Sequence, residues 1–122
     1  MQYPNYKYLV YNVPIQSQIF YINGCYYRVR ATLTFEWDGV PGHPPSSASL
    51  NNIQLLQECP PTNQTYSARI STFVYNTTLE QTTSLTFESS LDTAIDNALN
   101  DPGLNGDLKN IIDDTISGTV GN

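Results

Sequence analysis

The fold is decided by the segment from Cys25 to Trp37, which reads CYYRVRATLTFEW. Its odd-numbered positions are small or apolar, whereas from Arg28 onward its even-numbered positions are polar or charged. Successive side chains of a β-strand point to opposite faces, so this alternation predicts one long strand with a core face and a wet face. The predicted core residues are Cys25, Tyr27, Val29, Ala31, Leu33, Phe35 and Trp37.

The dipeptide Asn23-Gly24 lies just before this strand and predicts a two-residue hairpin, because a type I′ turn needs positive φ at both central residues. Such a turn sets the pairs Ile22 with Cys25, Tyr21 with Tyr26, Phe20 with Tyr27, and Ile19 with Arg28. Continued without interruption, this register places Gln16 and Gln18 on the core face. We therefore expect either that the first strand leaves the sheet after Gln18, or that another subunit covers this end of the sheet.

Further strands are predicted on both sides of this hairpin. Tyr6–Val13, bracketed by Pro4 and Pro14, is typical of an edge strand. The segment Ser49–Gln57 fits both helical and alternating spacing, and we favour a strand. Two more strands, Tyr66–Tyr75 and Leu79–Phe87, are expected to form a second hairpin through residues 76–78. Their predicted inward residues are Ala68, Ile70, Thr72 and Val74 on the first, and Leu79, Leu85 and Phe87 on the second.

The pattern changes to helical spacing at Ser89. Leu91, Ala94, Ile95, Ala98 and Leu99 predict an amphipathic helix with Ser89 or Ser90 as its N-cap. Leu104, Leu108, Ile111, Ile112 and Ile116 predict a second short helix that ends at Gly118. The predicted fold is α+β: a small, mostly antiparallel sheet or sandwich of about five or six strands, followed by two short C-terminal amphipathic helices. We expect a single domain over 1–122, with a β-rich body (1–88) and a helical segment (89–117).

Composition excludes several classes of function. The chain has 122 residues, of which 13% are charged, and a net charge of −6. Because phosphate backbones and anionic membranes attract clustered Lys and Arg, this acidity argues against nucleic acid and membrane surfaces as partners. The sequence beginning Met-Gln-Tyr-Pro shows no signal-peptide pattern, and no apolar run approaches the roughly 20 residues of a spanning helix.

Cys25 and Cys59 are too few for a zinc site, and their spacing matches no redox motif. Two interpretations remain for them. They form a disulfide if the compartment is oxidising, or they stay unpaired, with Cys25 serving as a small core residue. The second is the simpler interpretation.

No catalytic set is recognisable, and we expect no enzyme, cofactor or metal. His43 is the only histidine; it lies in a Pro- and Gly-rich loop over residues 38–47, and no nucleophile motif accompanies it. Asp101, Asn105 and Asp107 partly resemble a calcium-binding EF-hand loop, but Gly103 and Ile112 stand where that loop has ligands. The preferred interpretation is a helix start, with Asp101 as N-cap and proline at the first helical position.

Two groups of residues are candidates for an interface. The wet face of the central hairpin carries Tyr21, Tyr26, Arg28 and Arg30, which we call the Tyr/Arg face. Rings stack and guanidinium groups donate in a fork, so this face suits a protein or glycan surface, although ordinary cross-strand pairing explains it equally well. Residues 79–122 hold eight acidic side chains and a single lysine. Among the eight, Asp113 and Asp114 lie near the end of a predicted helix, where its dipole disfavours anions. They form either a solvated acidic face or a contact with the arginines of a neighbouring subunit.

These features favour a non-enzymatic structural subunit of a larger assembly, for instance a capsid-decorating, neck or tail component of a tailed-phage virion. Its expected partners are other copies of itself or other structural proteins, in an oligomer. The alternative is a carbohydrate-binding or cell-surface-binding module that uses the Tyr/Arg face or the proline-rich loop.

Overall fold

The central strand of the fold is the long alternating segment. The computed structural model describes residues 8–121. In it, five strands form an antiparallel sheet in the order β1-β3-β4-β5, with β2 also paired to β3. These strands are β1 (Leu9–Gln16), β2 (Phe20–Ile22), β3 (Cys25–Trp37), β4 (Ser47–Cys59) and β5 (Thr62–Ala68).

The rest of the chain forms a hairpin and two helices, in agreement with the predicted α+β class. The strands β6 (Ile70–Asn76) and β7 (Gln81–Phe87) pair as a separate two-stranded sheet. The helices are α1 (Thr93–Leu99) and α2 (Pro102–Val120). Helix α2 packs against β1, β3 and β7, so it covers the inner face of the large sheet.

The core lies between this inner face and α2. All seven predicted core residues of β3 are buried. Helix α2 contributes a buried residue at every fourth position, which keeps one face against the sheet: Leu104, Leu108, Ile112, Ile116 and Val120. The hairpin adds Leu85 and Phe87. The even-numbered side chains of β3 stay exposed or half-buried, so the outer face of the sheet remains accessible to solvent.

The predicted hairpin and its register are confirmed. Asn23 and Gly24 have φ of 49° and 88°, and Tyr21 pairs with Tyr26. The prediction that Gln16 and Gln18 face the core is wrong, because the register changes by one residue between β2 and β1. Phe20 pairs with Tyr27, whereas Gln16 pairs with Arg30, so both glutamines are exposed. The change brings Ile15 inward, and the strand continues along the edge of the sheet instead of leaving it.

Three other expectations about the strands need correction. The predicted strand Tyr66–Tyr75 is divided at Arg69, and its two parts belong to different sheets. Beyond the break Phe73 is partly buried and Val74 is exposed, because the register shifts around position 71. Leu79 lies in the turn that joins β6 to β7 and is exposed. The segment Ser49–Gln57 is a strand, as expected, and β1 is an edge strand; positions 6 and 7 of the predicted first strand lie outside the described residues.

The helices begin and end differently from the prediction. Asp92, rather than a serine, caps α1 by accepting from the backbone N–H groups of Ala94 and Ile95. Helix α2 runs through Gly118 to Val120, and the next residue, Gly121, is its C-cap, where the left-handed φ of 84° suits glycine.

The two cysteines form a disulfide, so the interpretation as unpaired thiols is wrong. β3 and β4 pair Tyr26 with Glu58, and the next position of that register sets Cys25 opposite Cys59. Their Cα atoms are 4.5 Å apart, within the range that a disulfide spans. The bond therefore joins the start of β3 to the end of β4, next to the Asn23-Gly24 turn.

Candidate functional site

The Tyr/Arg face begins at the hairpin turn, which places two aromatic rings side by side. Tyr21 and Tyr26 are cross-strand partners, and their ring centroids are 4.9 Å apart with the planes tilted by 54°. They remain 66% and 45% exposed, so their mutual packing leaves most of the aromatic surface open to solvent. This is large apolar area held in one orientation by the turn.

Arg28 and Arg30 are held at the register change, Arg28 by Ser17 and Arg30 by Gln16. The backbone N–H of Ser17 donates to the carbonyl of Val29 at 2.9 Å, and the N–H of Val29 donates to Ser17 Oγ at 3.0 Å. The Ser17 hydroxyl thus replaces the Ser17 carbonyl as the acceptor of the Val29 N–H in the hydrogen-bond ladder with β3. The Ser17 carbonyl is released to accept from Arg28 Nε at 3.0 Å, and Gln16 Oε1 accepts from Arg30 Nε at 3.3 Å.

The terminal nitrogens of both arginines are left for other ligands. Within residues 8–121, neither guanidinium lies within ion-pair distance of a carboxylate, although the chain carries 11 acidic side chains. An arginine fixed through Nε presents its remaining donors in a defined plane, which is the arrangement that carboxylates bind in a bidentate manner.

A cavity of about 190 Å³ opens on this face. Two cross-strand rows of outward side chains surround it. One row is Tyr26, Glu58 and Asn63; the other is Arg28, Leu56 and Thr65, with Ile19 beside them. Since small-molecule sites usually measure about 300–1,000 Å³, this cavity suits a single side chain or ring better than a cofactor.

Asp113 and Asp114 are not brought together with the arginines. Asp113 Oδ1 accepts from the backbone N–H and the hydroxyl of Thr82, at 2.8 and 2.7 Å, and so fastens α2 to β7. Burial, followed by the charges of Asp113 and Glu80, raises the pKa of Tyr75 to about 12. Asp114 is exposed. Asp113 is therefore an internal anchor, and of this pair only Asp114 remains as a surface candidate.

His43 belongs to an exposed pair with Asp38. His43 Nδ1 and Asp38 Oδ2 are 2.7 Å apart, and this hydrogen bond, with a second from the N–H of Val40, lowers the pKa of Asp38. The nearby hydroxyl of Ser46 donates to the carbonyl of Glu36 instead of meeting the imidazole. The loop thus holds an acid–histidine pair but brings no serine to it.

The three oxygen-bearing residues of the calcium-like segment diverge. Asp101 caps α2 by accepting from the N–H of Leu104, as the preferred interpretation predicts. Asn105 donates to the carbonyl of Leu85, and Asp107 accepts from the N–H of Gln18 at 2.8 Å. In residues 8–121 no cluster of three or more His, Cys, Asp or Glu side chains is placed to hold a metal ion.

Sequence reasoning missed Ser17, the residue whose carbonyl positions Arg28. Its one indication was the run Gln16-Ser17-Gln18, which interrupts the apolar alternation where the register changes.

No family model, curated protein or solved structure matches this chain. Among the described residues, no helix is long and apolar enough to cross a membrane.

Proposed function

We propose that the protein is a non-enzymatic assembly subunit that binds a neighbouring structural protein through the Tyr/Arg face. The observation that carries this proposal is the pairing of exposed tyrosine rings with arginines that are pre-oriented through Nε and lack a carboxylate partner among residues 8–121. Tyrosine and arginine are the residues enriched in the energetic centres of protein interfaces. A component of a virion, such as a capsid-decorating, neck or tail protein, is one assembly of this kind.

The edge of the sheet at Gln16 and Gln18 gives no support to this function. The expected inward glutamines suggested an uncovered core end, but Gln16 and Gln18 point outward and need no covering subunit. The proposal therefore depends on the outer face alone.

Light scattering on the purified chain tests the proposal. We expect a mass above that of the monomer, and we expect the double variant Tyr26→Ser/Arg28→Ser to return to the monomer mass. Lys109→Ser is the matched control, because it removes one positive charge from α2, which packs on the opposite face of the large sheet, and should leave the mass unchanged. Association that survives the double variant contradicts the proposal.

The second candidate is carbohydrate binding, which is favoured by the composition of the cavity wall. The Tyr26 ring lies in a row with the carboxylate of Glu58 and the amide of Asn63. An aromatic ring flanked by planar hydrogen-bonding groups suits a sugar ring. A monomeric chain that binds a glycan array, and loses that binding on Tyr26→Ser, would select this function over assembly.

A further inference from the structure

We propose that the partner is a second copy of this chain, and that its segment 88–92 docks on the Tyr/Arg face, with Leu91 in the cavity and Glu88 facing Arg28. The inference rests on the proposed function and adds to it the other half of the contact.

Leu91 is fully exposed, at the tip of a connection that hydrogen bonds hold in place. Asp96 Oδ1 accepts from the N–H of Ser90, and Ser90 Oγ accepts from the N–H of Asp92. The apolar residue before an N-cap often packs against the fourth helical residue, which here is Asp96 and offers no apolar contact. Leu91 is therefore presented to solvent by a fixed turn.

The cavity on the Tyr/Arg face matches this leucine in size and polarity. Its volume of about 190 Å³ suits one side chain, and Ile19, Tyr26 and Leu56 supply apolar walls. The entry of one aliphatic side chain would exclude water from these walls, as the anchor residues of protein interfaces do.

Charge complements shape at the same place. Arg28 and Glu58 border opposite rows of the cavity wall, and the exposed Glu88 lies three residues before Leu91, so the proposed orientation sets Glu88 against Arg28 and away from Glu58. Residues 79–121 carry eight acidic side chains, whereas the outer face of β3 carries two arginines and one acid, Glu36, at its far end. Opposite charge across the contact favours this orientation over others, in a protein whose net charge of −6 otherwise opposes self-association.

The two docking surfaces are different parts of the molecule. Two copies that exchange them reciprocally form a symmetric dimer, whereas copies that dock in one direction only form a ring or a filament.

Complementation between two variants tests this geometry. Leu91→Ser removes the docking side chain and leaves the cavity, whereas Tyr26→Ser/Arg28→Ser alters the cavity and leaves Leu91. Each variant alone should be a monomer by light scattering, with affinity lowered at least about tenfold, the effect of losing one buried aliphatic side chain. An equimolar mixture should form a one-to-one dimer, which also shows that both variants are folded.

Leu79→Ser is the matched control, because Leu79 is also exposed and precedes an acidic residue. It should leave the wild-type mass unchanged. If Tyr26→Ser/Arg28→Ser dissociates the assembly but Leu91→Ser does not, the proposed function stands and this inference fails. Two monomeric variants whose mixture does not dimerise also overturn it. A wild-type chain that stays monomeric up to about 1 mM overturns both.

Discussion

We expect the Ser17 hydroxyl to contribute far more to the free energy of unfolding than its size suggests, and Ser17→Ala tests this. Ser17 is 2% exposed, and its Oγ accepts the buried N–H of Val29. Alanine fits the space but leaves that N–H without a partner. An unsatisfied buried donor costs about 1–3 kcal/mol, so we expect the free energy of unfolding to fall by about 2 kcal/mol.

Urea denaturation of the oxidised protein measures this loss. With a slope of about 2 kcal/mol per molar urea, the midpoint should move down by about 1 M at unchanged slope. Ser49→Ala is the matched control, because Ser49 is exposed on β4, and its effect should stay within about 0.5 kcal/mol. Amide exchange at Val29 should accelerate only in the Ser17 variant. Equal midpoints for the two variants would show that the hydroxyl does not replace the ladder carbonyl, and the account of how Arg28 is held would fail with it.

The disulfide and Tyr75, on strand β6, give two further predictions. Replacing both Cys25 and Cys59 by serine should lower the free energy of unfolding by about 4 kcal/mol, the chain-entropy estimate for a disulfide between residues 34 apart. Urea denaturation measures this loss. A reductant should destabilise the wild type by a similar amount and should have no effect on the double variant. The pKa of Tyr75, raised to about 12 from 10.0, means that the folded state keeps a proton that the unfolded state loses, so stability should fall as pH rises from about 10 to 12. The phenolate absorbance of wild type minus Tyr75→Phe should titrate near pH 12. It should titrate at a lower pH after Asp113→Asn, because the Asp113 charge contributes to the shift; a difference titration centred at 10 in the wild type would contradict the assignment.

The elements governed by local rules were predictable. Alternation alone identifies the core face of β3, because a residue that breaks the period would place a polar group in the core. Asn23-Gly24 fixes the hairpin register because few other residues adopt two successive positive φ values. The start of α2 follows from Asp101 and Pro102, which satisfy the geometry of a helix N-terminus without help from the rest of the fold.

The features that depend on distant partners were not predictable. Arg69 divides a strand that contains no glycine or proline, and its carbonyl accepts from the N–H of Glu88, 19 positions away. The disulfide needs the register between β3 and β4, which the loop over residues 38–46 is too long to set. The site was predicted in part: the tyrosine pair and the arginines follow from the hairpin, but the cavity depends on side chains of β4 and β5.

The change of register between β2 and β1 explains both why Gln16 was wrongly predicted to face the core and how the two arginines are oriented. If the β2–β3 register continued unchanged along β1, Gln16 would face the core, and Arg30 would lose its hydrogen bond to the Gln16 side chain. Shifting by one residue turns Gln16 outward, where its amide oxygen accepts from Arg30, and frees the Ser17 carbonyl for Arg28. Both arginines are thus oriented by the same irregularity at the sheet edge. Because register irregularities near functional surfaces commonly serve to aim side chains, this one supports a binding role for the outer face more directly than the composition does.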